Sequence, residues 1–145
     1  GLKLSRSSLA EREFIGVRFS GMDAEKISFR DCKFRLCFFE NSSFTSCDLK
    51  GTSMQYCVFA GSSLTDCDFS STDILHGNFN GTRIARCSFQ NSDLYFSHFI
   101  NAAMEDVSFV DCNLRKVNFA NSSRTGVNFK YSNFEEAYFN PESVS

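Results

Sequence analysis

Large apolar residues recur along this chain at every fifth position. From Leu4 to Phe139 that register holds 28 positions, and 16 of the 18 phenylalanines stand in it, Phe29, Phe34, Phe39, Phe44 and Phe59 among them. The rest are Leu, Ile or Met, apart from Ala24 and Arg124. A helix repeats about every 3.6 residues and a plain strand every two, so neither accounts for a period of five. A short fixed period sustained over the whole length predicts a solenoid, in which each repeat buries its apolar side only against its neighbours.

A second register runs two residues ahead of the first and reads small: Ser42, Thr52, Ser62, Thr72, Gly77, Thr82, Ser92 and Ala102, with all seven cysteines, Cys32, Cys37, Cys47, Cys57, Cys67, Cys87 and Cys112. Residues two apart on an extended segment point the same way. One large and one small residue of every five are therefore expected inside, and the other three outside. Gly or Asn returns two places after the central residue, as at Asn41, Gly51, Gly61, Gly81, Asn91, Asn101 and Asn121. These residues tolerate the positive φ that a tight turn demands, which predicts a corner at each repeat.

Segments such as CKFRL, CFFEN, CDLKG and CVFAG resemble the pentapeptide-repeat family, closely over residues 27–140 and loosely over 1–26. The resemblance implies an all-β fold, a right-handed quadrilateral parallel β-helix in which four segments make one square coil. The 28 segments would then give about seven coils, a rod roughly 34 Å long at a rung spacing of about 4.8 Å. The small register is broken early by Leu2, Arg12, Met22 and Ile27, so residues 1–26 are expected to form an irregular first coil or cap on a single domain spanning 1–145. Lacking an initial Met, the chain reads as a fragment of a larger protein. Arg124 in the large register is expected to reach solvent or find a partner, since an unpaired buried guanidinium is costly.

Composition narrows the functional classes. There are 15 basic and 17 acidic residues, which disfavours nucleic acid as a partner. No run of apolar residues is long enough to span a membrane as a helix. Stacking at a period of twenty aligns Cys47, Cys67 and Cys87, yet a linear stack in a dry core does not wrap a metal, and free Cys is a common small core filler. An odd thiol count without framework spacing favours a reducing cytoplasm. The sequons at Asn41, Asn80 and Asn121 follow from the corner composition. With two histidines, His76 and His98, and no paired acids or triad pattern, no catalytic residue, metal or cofactor is expected.

Folding the sequence at a period of twenty separates four edges of the rod. Three are polar. The edge after the third face collects Leu36, Phe38, Tyr56, Val58, Leu75, Tyr95, Phe96 and His98, with His76 among them. Phe38 and Phe96 are the two phenylalanines outside the core register. A bare apolar and aromatic stripe of this kind predicts docking of a protein partner or an adjoining domain. Near the opposite side, Asp66, Arg86 and Asp106 alternate in sign, the pattern of a surface ion-pair ladder.

The expected function is a non-enzymatic interaction scaffold. The Cys- and Phe-rich texture resembles, more weakly, the β-helix domain of SopA-like bacterial effectors, HECT-like ubiquitin ligases; this implies a virulence protein secreted into the host cytosol, with catalysis in another domain. The alternative implied by the family is a DNA mimic that binds gyrase. The balanced charge and short acidic track depart from that pattern.

Overall fold

The computed structural model describes residues 8–139 together with the backbone strand Lys3–Ser5. The chain winds as a parallel β-solenoid with a coil of twenty residues and four faces. On the first face a seven-stranded parallel sheet runs through Lys3–Ser5, Asp23–Glu25, Ser43–Thr45, Ser63–Thr65, Arg83–Ala85, Ala103–Glu105 and Ser123–Thr125. Register is kept rung by rung, as in Leu64 opposite Ile84 and Ile84 opposite Met104. The described residues complete about six coils, against the seven expected from the repeat count.

Both interior registers are buried from Met22 to Phe119. The rings stack in columns along the axis: Phe59 on Phe79 at 5.0 Å and 2°, and Phe79 on Phe99 at 4.8 Å and 3°. Between columns they meet edge to face, as Phe89 meets Phe99 at 6.1 Å and 90°. Rings favour offset-stacked and edge-on contacts because their faces are negative and their rims positive. With rings on the second and fourth faces of the inner coils and Leu, Ile or Met on the other two, each ring makes one such contact along the axis and another across it.

The small register does more than fill space. Ser62 Oγ donates to the Phe39 carbonyl at 2.7 Å and accepts the Ser42 N–H at 3.0 Å. Ser97 makes the same pair of bonds with Ile74 and Gly77. The cysteines copy this with sulfur: Cys57 Sγ lies 3.4 Å from the Phe34 carbonyl, and Cys112 Sγ 2.9 Å from that of Phe89. Thr52, Thr72 and Thr82 instead donate to the carbonyl three residues back. These bonds satisfy backbone groups at the corners that the sheet ladders leave over, and an orphaned buried group there would be expensive. All seven thiols are free and buried. Burial pushes Cys57 up to about 12 and Cys112 to about 11, so they persist as neutral thiols.

The irregularity expected of residues 1–26 is corrected for the described part. Glu13–Ile15 pairs in register with Lys33–Arg35, and Ser8 and Arg18 bridge to Ser28 and Phe38. Size exchange explains Met22: this large residue in the small register adjoins Ala24, a small one in the large register, and both are buried at 1% and 0% exposure. Arg12 is exposed. Near the other end Arg124 is half-buried and partnered as expected. Its guanidinium donates to Ser122 Oγ at 2.8 Å and to the Phe119 carbonyl at 3.3 Å, and lies 5.1 Å over the Phe139 ring.

The third face changes character midway. Glu13–Ile15, Lys33–Arg35 and Ser53–Gln55 form a three-stranded sheet, after which single bridges link Asp73, Asp93, Asn113 and Asn133. In the last three of these segments the residue before the centre bonds forward. Asp93, Asn113 and Asn133 each accept the backbone N–H two residues on, at 3.1, 3.1 and 3.0 Å. That side-chain bond bends the segment into an Asx turn where Lys33 or Ser53 leaves it extended.

Candidate functional site

The corner between the third and fourth faces carries the stripe. At its apex stand Gly16, Leu36, Tyr56, His76, Phe96, Lys116 and Glu136, one per coil, all with positive φ. The backbone holds them on successive rungs: the N–H groups of Tyr56, His76 and Phe96 donate to the carbonyls of Leu75, Tyr95 and Arg115 at 3.0, 3.0 and 3.1 Å. Rung spacing close to ring thickness makes the side chains stack. Tyr56 lies on His76 at 5.0 Å and 13°, and His76 on Phe96 at 5.0 Å and 32°. Tyr95 meets His76 edge-on at 5.9 Å, and His98 meets Phe96 at 5.8 Å and 75°. Burial, and then the neighbouring His76, hold His98 below the usual histidine range.

All eight residues expected at this edge lie along it. Leu36, Tyr56 and Phe96 are exposed at 46%, 47% and 38%. Phe38, Val58, Leu75, Tyr95 and His98 are half-buried and flank them. The rings thus cover one another's faces and leave their rims outward.

The apex is an unfavourable place for such residues. A left-handed backbone crowds the Cβ of an L-residue, at a cost of about 1 kcal/mol or more. The corner between the fourth and first faces takes the expected solution, with Gly21, Asn41, Gly61, Gly81, Asn101 and Asn121 at its positive-φ positions. Leu36 at φ 53°, Tyr56 at 57°, His76 at 54° and Phe96 at 60° do not. Mutual stacking of about 0.5–1.5 kcal/mol per pair offsets part of that strain, but Asn or Gly would avoid it altogether. Lys26, Ser46 and Arg86 bear the same backbone at the corner between the first and second faces, so it is the bulky apolar side chains accepting that strain that set this stripe apart.

Two arginines also belong to the stripe and escaped the sequence reading. The Arg18 guanidinium lies 4.8 Å over the Phe38 ring, and that of Arg115 lies 5.8 Å over Tyr95. Both stand twenty residues from the ring they cover, so comparing each aromatic with its neighbours one coil away would have found them. Arg115 and Lys116 also face Glu136 at 3.5 and 3.7 Å. Among the described residues, no ion pair engages Arg18, Lys33 or Arg35.

The second corner, between the first and second faces, holds an open cleft of about 640 Å³ lined by Asp48, Asp66, Asp68, Asp106 and Arg86. Its charges partly cancel. Arg86 Nε donates to Asp66 Oδ1 at 2.7 Å, and Arg30 pairs with Asp48 at 3.1 Å. The expected ladder therefore closes on the Asp66 side; among the described residues no ion pair joins Arg86 to Asp106. No group of three or more His, Cys, Asp or Glu among the described residues is placed to hold a metal.

Comparison with known proteins matches the winding. The family model described as a pentapeptide repeat region matches residues 62–139, and that for pentapeptide repeats in eight copies matches 13–51 and 42–81. The chain is similar in fold to a pentapeptide repeat protein of the Arabidopsis thaliana thylakoid lumen, with TM-score 0.58 and 19% identity over 75% of this chain and 69% of that one. It is similar also to HetL, a pentapeptide repeat protein involved in heterocyst differentiation regulation in Nostoc sp. strain PCC 7120, with TM-score 0.55 and 17% identity over 93% of this chain and 65% of that one. QnrB1, a plasmid-mediated fluoroquinolone resistance protein, aligns at TM-score 0.46 and 12% identity over 99% of this chain and 92% of that one. No curated protein matches the chain in sequence.

Proposed function

This chain belongs to the pentapeptide-repeat family, and we propose that it is a non-enzymatic interaction scaffold that docks a protein partner along the corner between its third and fourth faces. The observation that carries this reading is the run of Leu36, Tyr56, His76 and Phe96 in left-handed backbone on successive coils, with Leu36, Tyr56 and Phe96 exposed and His76 half-buried between them. Its interior is filled by stacked rings, and its work is done on the outside. The free thiols suit a reducing compartment. An effector setting, with the rod presenting a partner to a separate ligase domain, is compatible with the same corner.

The test is photo-crosslinking in the native cell from a benzophenone amino acid at position 96 and, separately, at position 91 on a different corner. The expected result is a discrete adduct from position 96, absent from position 91. The adduct should vanish when Tyr56 and Tyr95 are changed to Ser, with the unfolding midpoint held. Adducts of equal strength from both positions, or from neither, would overturn the reading. A gyrase-directed DNA mimic is the competing reading, and it uses the acidic second corner. Ion pairing of Asp48 and Asp66 to arginines argues against it, because it breaks the row of negative charge a phosphate mimic needs. Inhibition of gyrase supercoiling that depends on Asp66, Asp68 and Asp106, and not on Phe96, would establish the mimic instead.

A further inference from the structure

We infer that the segment docking on this corner is an extended one with carboxylates at one end and apolar side chains after them, lying with its acidic end over the first two described coils. The inference rests on the docking reading and concerns what docks. Three observations carry it.

The first is charge. Arg18, Lys33 and Arg35 stand exposed at one end of the stripe without ion-pair partners among the described residues; Glu13 is in register with Lys33, and Glu11 and Asp31 stand at the corner before the third face. At the far end Arg115 and Lys116 are met by Glu135 and Glu136. The stripe is therefore polarised, and an occupant acidic throughout would match only one end of it.

The second is ring orientation. Tyr56, His76 and Phe96 spend their faces on one another, so the occupant meets rims, which are positive and favour carboxylate and carbonyl oxygens or the face of another ring. A nucleic acid needs free faces for its bases, and its phosphates would run past Asp73 and Asp93 on the third face.

The third is size. From the rung of Arg35 to that of Phe96 is three steps, about 14 Å, which an extended chain spans with four or five residues. The apolar apex from Leu36 to Phe96 covers only four rungs, a small footprint beside the roughly 800 Å² that each partner of a stable complex commits. A second copy of this rod is thus a poorer occupant than a short segment.

The test records backbone amide shifts of the isotope-labelled domain against the peptide Asp-Glu-Asp-Phe-Thr-Leu-Ser-Phe. Two further peptides replace its acids by Lys and by Ser, and a short oligothymidine completes the set. Saturable shifts centred on Leu36, Tyr56 and Phe96 with the acidic peptide alone support the inference. Arg18→Ala with Arg35→Ala should then weaken binding about threefold to tenfold, since each exposed pair contributes modestly. Both arginines are exposed on the surface, so the fold is retained, and an unchanged spectrum away from them checks this. Equal binding of the Ser peptide overturns the acidic preference and leaves the docking corner standing. Shifts at the corner with oligothymidine only, shifts on dilution without any ligand, or no shift with any peptide overturn the inference. The crosslinking result above judges the corner itself, so the two failures are told apart.

Discussion

Phe89 and Phe96 are the same residue seven positions apart, and they are placed in opposite ways. Phe89 is fully buried, stacked on Phe69 at 4.8 Å and Phe109 at 5.1 Å. Phe96 is 38% exposed on a left-handed corner. Phe89→Ala should therefore cost about 3–5 kcal/mol, and Phe96→Ala well under half of that, read from denaturant midpoints. Phe96→Gly should come out more stable than Phe96→Ala, because glycine relieves the positive φ. His98 gives a pH signature. Its folded pKa lies below the unfolded value, so as pH falls through about 6.5 the unfolded chain takes up the proton first. Stability from this group is full above that pH and declines below it. His98→Gln should flatten the loss between about pH 7 and pH 5; an unchanged slope would show that His98 is not the group responsible.

At the level of the segment, the large register was fully legible from the chain because one residue type at one period needs no tertiary knowledge. The small register was legible as small and inward-facing, with its cysteines read as filler. Its role as a hydrogen-bonding column appears only when a residue is set against the carbonyl 23 positions earlier, as for Ser62 and Phe39. This supplies a test that separates the two descriptions. Ser62→Ala keeps the volume and strands both the Phe39 carbonyl and the Ser42 N–H, so it should cost about 1–3 kcal/mol. Cys57→Ser keeps a donor at the same place and should change stability by less than about 1 kcal/mol. If filling alone mattered, Ser62→Ala would be close to neutral. The switch on the third face was also written in the chain, at the residue before each centre, but reading it requires knowing that an Asp or Asn there bonds forward onto its own backbone. The stripe was found because aromatics outside the register are conspicuous. The arginines that lid it were missed because charge on a surface looks unremarkable until the coil period places Arg18 above Phe38.

Over the whole molecule, almost every contact joins one coil to the next, so stability behaves as a sum of coils and their interfaces. Interior coils have two neighbours and the outermost have one. The exposures follow: Phe79, Phe89 and Phe99 are sealed, while Phe129 and Phe139 are half-buried and Phe134 is 39% exposed. Amide exchange should be slowest between about residues 57 and 109 and quicken toward both ends of the rod. Phe79→Ala should accelerate exchange in the coils on either side of it, whereas Phe129→Ala should affect its own end alone. Uniform protection, with both variants acting everywhere equally, would mean that the rod melts as one unit.

The square winding also sets a reading frame for anything displayed on it. A twenty-residue insertion after Gly81 would add one storey and leave Phe96 beneath the same corner as Tyr56. Five inserted residues would keep large and small side chains inside, yet set Phe89 over Ile74 in place of Phe69 and rotate all that follows by a quarter turn, carrying Phe96 round to the corner that Asn and Gly now occupy. The far half of the stripe would then face a different compass direction from the near half. Circular dichroism should barely register the five-residue insertion, while a ligand that bridges Leu36 and Phe96 would lose its hold. Lengths that evolution can add to such a rod are thus quantised both by what must stay aligned on its outside and by the ring columns within.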